Sequence, residues 1–218
     1  MIPLRSSERT YSTASVTIAL IIVNFAVFLY EAMLPSWQLD RFILQYGIVP
    51  DRLHYSQLLT SMFVHGGWLH VIGNMWFLWV FGKNIEDLLG HFPYLLFYLT
   101  SGLAAGLTQV LIDPYSRIPT VGASGAIAGV MGAYLVKYPR ARIVTLIFIF
   151  FFITTFDLPA AFLLLYWFAI QFFSGVGSLG TSQVAASNVA FFAHVGGFIA
   201  GMLLVLVIPG QRRYRAWY

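Results

Sequence analysis

The sequence predicts an all-α membrane protein in which six apolar helices cross the bilayer as one bundle. Three observations predict it. Of the 218 residues, 59% are apolar and only 9% charged, where a soluble domain carries about 25% charged. The apolar residues gather into runs suited to crossing a hydrocarbon core of roughly 30 Å. Nine of the twelve basic residues fall on one side of those runs. This composition excludes a soluble globule and a disordered chain. The absence of Cys excludes a disulfide scaffold, Cys-ligated zinc and a Cys nucleophile.

The chain reads in order as follows. Residues 1–13 are a short tail bearing Arg5 and Arg9. Ala14–Leu34 is the first apolar run, too long for a cleavable signal. Residues 35–66 mix Trp37, Phe42 and Tyr46 with Pro35, Pro50 and charges, the composition of a structured loop in the outer interface. Gly67–Gly82 is the second run, followed by Lys83. Phe92–Ile112 is the third. Val121–Val136 is the fourth, followed by Lys137, Arg140 and Arg142. Ile143–Phe156 is only 14 residues long, a length typical of interfacial or re-entrant segments. The fifth crossing therefore falls on Pro159–Gly175. Residues 176–188 are rich in Gly, Ser and Ala, as in a mobile connection. Val189–Ile208 is the last run. It completes a helical domain at 14–209, and the basic tail 210–218 follows.

The positive-inside rule places both termini in the cytoplasm. It also accounts for the net charge of +4 without a nucleic-acid partner. The short tails point to a bacterial or archaeal plasma membrane, with an organelle as the alternative. The expected surroundings are lipid, and the sequence says nothing of oligomeric state.

Ionisable or polar groups inside a span are costly and point to function. His70 and Asn74 lie four apart on the second run, so they share a face. Ser124 opens the fourth run within VGASGAIAG, and His194 begins the last within AHVGGFIAG. Counting helical rises from each cytoplasmic end puts His70, Ser124 and His194 at nearly one level, about 20 Å up. Gly125 and Gly129 form one GxxxG pair and Gly197 and Gly201 another, so these helices can approach closely. A hydroxyl and an imidazole brought together there form a nucleophile with its general base. No metal or cofactor is required, because no HExxH or carboxylate cluster accompanies the histidines. Each feature alone has a plain structural reading. His65 reads as an interfacial residue, and Glu86 and Asp87 as a structural helix end. A transporter or channel would use the same histidines, but it would need polar groups continuing toward the cytoplasm. The lower halves of these spans are apolar or small.

GASG at Gly122–Gly125, AHVGG at Ala193–Gly197 and HVIGN at His70–Asn74 together resemble the signatures of the rhomboid intramembrane serine proteases. The resemblance spans residues 14–209. It implies a six-helix rhomboid bundle and a serine endopeptidase acting on transmembrane segments of other proteins. It further implies Ser124 as nucleophile, His194 as base without a third carboxylate, and His70, Asn74 and the Ser124 N–H as the oxyanion hole. Gly122 would let the substrate carbonyl approach closely. Gln109 is a candidate for retaining the hydrolytic water. Two positions depart from the family pattern. Ser56-Gln57 stands where a Trp-Arg pair is common, and Ala128 stands where an aromatic often packs on the catalytic ring. A non-catalytic relative that only captures helices is the second rival, and intact Ser124 and His194 argue against it.

Overall fold

The computed structural model describes residues 1–149, 152–178 and 190–211. Most of the expected Gly/Ser/Ala-rich cap (from 179 on) and the basic residues Arg212, Arg213 and Arg215 lie outside the described residues.

The helices follow the apolar runs closely. α1 is Ser15–Met33, and α2 (Ser36–Tyr46) and α3 (Gln57–Thr60) build the long first connection. α4 (Trp68–Phe77) continues through a π turn at Leu78–Gly82 into α5 (Lys83–Leu89). α6 is His91–Ile112, α7 Ser124–Lys137, α8 Ala160–Ser178 and α9 Phe191–Val207. Among the described residues, three helices, Ser15–Met33, His91–Ile112 and Ala160–Gly177, are long and apolar enough to cross a membrane. α7 has 14 residues and α9 has 17, and the second expected run is divided by its π turn. Helix length therefore does not establish six crossings. Many large apolar side chains, among them Leu69, Leu111, Phe173 and Leu203, point outward. That is the expected state where the solvent is hydrocarbon.

The all-α expectation needs correction. The segment 142–159 is an antiparallel hairpin of β2 (Arg142–Ile149) and β3 (Phe152–Pro159), and β1 (Ile2–Ser6) pairs along β2. The register runs Arg142 opposite Pro159 and Ser6 opposite Ile143. The cause is legible in the residue types. Ile, Val, Thr and Phe dominate both strands, and β-branched and aromatic residues favour strands. The tail before α1 is thus partly ordered. Trp76 Nε1–H donates to Pro3 O, and Ser6 Oγ is hydrogen-bonded to Tyr134 Oη.

The small-residue faces bring α7 and α9 into backbone contact. A Cβ on Gly201 would collide with the O, C and Cα of Gly129, and one on Gly197 with the carbonyl of Gly125. Backbone atoms cannot swing aside as a flexible side chain can. Gly201→Ala should therefore cost a net 1–3 kcal/mol, roughly the range for overpacking, despite the helix-propensity gain of about 1 kcal/mol. Gly73→Ala is the control, because nothing lies within 4 Å of that position. Thermal unfolding in detergent should show a lower midpoint for Gly201→Ala alone.

Glu86 and Asp87 hold the end of the bundle remote from Ser124. The α1 N-cap, Ala14, has no capping side chain. The fully buried Glu86 carboxylate supplies the missing acceptor, taking the N–H groups of Val16 and Thr17 at 2.8 Å each. Asp87 accepts from the Tyr11 and Ser12 N–H groups. Burial alone would raise the Glu86 carboxyl, but the bonds from Thr17, Val16 and His91 outweigh it and hold it below its ordinary 4.5. Its contribution to stability is present above that value and is lost as pH falls through the lowered one. Unfolding measured against pH should show a decline below about 4.5 that Glu86→Gln flattens.

Candidate active site

Ser124 is the first residue of α7. The preceding chain, 114–123, is non-helical and is tied back at several points, two of them close to the serine. Ile48 and Thr120 form an antiparallel bridge, and Gly122 N–H donates to Ser61 O at 2.9 Å. Starting the helix at the serine leaves its first N–H groups without intrahelical acceptors, at the positive end of the helix dipole.

His194 lies in the first turn of α9. The close glycine contact of α7 with α9 brings its Nε2 to 2.7 Å from Ser124 Oγ. The pair expected from sequence is therefore assembled. Gly122 has φ +119°, a conformation that favours glycine. A Cβ there would lie 2.6 Å from His70 Nε2 and 3.3 Å from Asn74 Nδ2. His70, Asn74 and the Gly122 backbone thus enclose one small space two residues ahead of the serine.

Some neighbours of these residues were not expected. His65 is buried, not interfacial. Asn74 Nδ2–H donates to its Nε2 at 3.0 Å, and its own N–H donates to the Glu31 carboxylate at 3.1 Å. The imidazole fixes one amide hydrogen of Asn74 and leaves the other to the site. Gln171 of α8 places Oε1 2.7 Å from His194 Nδ1, and the Trp167 ring stands 5.6 Å from the His194 ring at 38°. An aromatic from α8 therefore covers the ring that Ala128 does not. The cost of intramembrane polar groups was the signal that could have singled out Gln171.

The other departure is also compensated. Gln57 is buried, accepts from His54 N–H, and donates from Nε2 to the carbonyls of Leu44 and Gln45. One amide ties α3 to the end of α2. A cavity of about 20 Å³ adjoins Ser124, with Ser61, Thr120, Gly102 and Gly125 in its wall. That is room for about one water. Gln109 is not in its wall, and its buried Oε1 takes no hydrogen bond from the described residues.

The helices and the site define a class: a polytopic membrane protein with a sheltered hydroxyl–imidazole pair. The Rhomboid domain family matches residues 52–211. The chain belongs to the rhomboid family. It is 27% identical over 197 residues to Rhomboid-like protein 11, chloroplastic, of Arabidopsis thaliana, covering 87% of this chain and 64% of that protein. It is 30% identical over 136 residues to Rhomboid protein 1, mitochondrial, of Saccharomyces cerevisiae, covering 60% of this chain and 38% of that one. It is 38% identical over 79 residues to Rhomboid protease GluP of Bacillus subtilis, covering 36% and 15%. The chain spans less than two thirds of the length of these relatives. Family and apolar helices together make it a multi-pass integral membrane protein. Relatives named for chloroplast and mitochondrion lend no support to a prokaryotic plasma membrane.

Proposed function

We propose that this protein is an intramembrane serine endopeptidase that cuts transmembrane segments of other proteins near the outer face. The observation that carries the reading is the 2.7 Å contact between His194 Nε2 and Ser124 Oγ. Ser124 Oγ attacks the scissile carbonyl and His194 takes its proton. His70, Asn74 and the Ser124 N–H hold the negative oxygen. The proton passes to the leaving amine, and a water at the Ser61–Thr120 cavity hydrolyses the acyl-enzyme. The six crossings are α1, α4 with its π turn, α6, α7, α8 and α9, with α7 and α9 starting inside the bundle. α7 is short under this reading because it begins at the serine's depth.

A substrate helix has its carbonyls bonded internally and must unwind to be attacked. Segments with Gly, Ala, Ser or Pro near the cut should be preferred. Access is lateral, past α8. No metal or cofactor takes part. The rival reading as a binding member that does not cut is separated by a fluorophosphonate probe. The probe should label the purified protein at Ser124, and no labelling of folded protein refutes the assignment.

A further inference from the structure

The imidazole of His194 has a partner on each nitrogen, and only one was expected. Nε2 faces Ser124 Oγ at 2.7 Å, and Nδ1 faces Gln171 Oε1 at 2.7 Å. A neutral imidazole carries one proton. If Nε2 is to accept from the serine hydroxyl, the proton must sit on Nδ1, and Nδ1–H then needs an acceptor. The amide oxygen of Gln171 is that acceptor. The opposite tautomer would set a lone pair against a lone pair at Nδ1, and its Nε2–H would donate to the serine hydroxyl instead of accepting from it.

We propose that Gln171 is a positioning residue for the base, so that the catalytic unit is a Ser–His–Gln triad drawn from α7, α9 and α8. The proposal rests on the protease reading. During attack the serine proton moves to Nε2, Nδ1–H stays on its nitrogen, and the carbonyl dipole of Gln171 faces the resulting imidazolium. No proton passes to the amide. A carboxylate could serve the same geometry, but it would be an unpaired charge within the span, where charges are expensive. The amide supplies the acceptor without that charge. Trp167 lies one turn before Gln171, so the two share a face of α8. That face meets the imidazole at its ring and at its Nδ1. The poise of the base therefore depends on where α8 stands.

The test compares wild type, Gln171→Leu and Gln171→Glu as purified full chains. It reads fluorophosphonate labelling rate at Ser124, kcat and KM on a labelled transmembrane substrate, and thermal midpoint. Gln171→Leu keeps the volume and loses the acceptor. It should lower labelling rate and kcat about 10- to 100-fold, with KM within about twofold. Gln171→Glu should recover most of the loss. A folded Leu variant that labels at the wild-type rate, or a loss that Glu does not recover, overturns the triad while the Ser–His reading stands. A folded wild type that does not label overturns both. Should Gln171→Leu not fold, ¹⁵N spectra of wild-type histidine decide the matter. The His194 signal, assigned by its absence in His194→Ala, must report a protonated Nδ1. A protonated Nε2 with a bare Nδ1 overturns the proposal.

Discussion

Ser124→Ala and His194→Ala should each remove cleavage of a labelled transmembrane substrate, with a fall of about 10⁴-fold or more. The alanine at 124 has no atom with which to form the acyl bond. The alanine at 194 leaves a hydroxyl with no base within reach, because Nε2 is the group bonded to Oγ. The double variant should fall no further than either single one, since the two residues act as a unit. Ser124→Ala should keep its thermal midpoint nearly unchanged, because the hydroxyl is small and the α7–α9 contact is made by glycines; His194→Ala should lower it modestly, because Gln171 and Trp167 lose their partner. The measurement is cleavage of one substrate by purified protein in detergent and again in bilayers. Full activity in either single variant refutes the assigned roles.

Gly122→Ala is expected to be the next most damaging, at about 10²–10³ in kcat, near the value of one oxyanion donor. Two effects act together. At φ +119° a side chain is strained. The added methyl would also sit 2.6 Å from His70 Nε2, closer than such contacts allow, and would press on Asn74 Nδ2 at 3.3 Å. The methyl thus occupies the space assigned to the developing negative oxygen and moves both of its donors. Fluorophosphonate labelling should fall along with cleavage, because the phosphoryl oxygen needs the same hole. Labelling and cleavage at wild-type rates would show that the negative oxygen lies elsewhere.

The apolar runs gave helix positions within a few residues, because a chain in lipid must satisfy its backbone internally. Ala14–Leu34 became Ser15–Met33, and Phe92–Ile112 became His91–Ile112. The run at 143–156 defeated that logic. Apolar content marks contact with lipid or core, and it does not separate strand from helix in a short segment. The partner strand at 2–6 lies far off in sequence, and no local pattern announces it. His65 was read as interfacial because its neighbours are glycines. Its bond to Asn74 depends on how the chain folds back, nine residues on.

Composition and the apolar runs alone mark this as a membrane protein of apolar helices. The sequence also singles out His70, Ser124 and His194 by a count that puts them near one level, and Asn74 by its face shared with His70, since periodicity and rise per residue are local properties. The surroundings of the imidazole come from packing. Gln171 lies 23 residues before His194 and Trp167 lies further back still. Their meeting is fixed by the rotation and approach of α8 against α9, which packing sets and no spacing along the chain encodes.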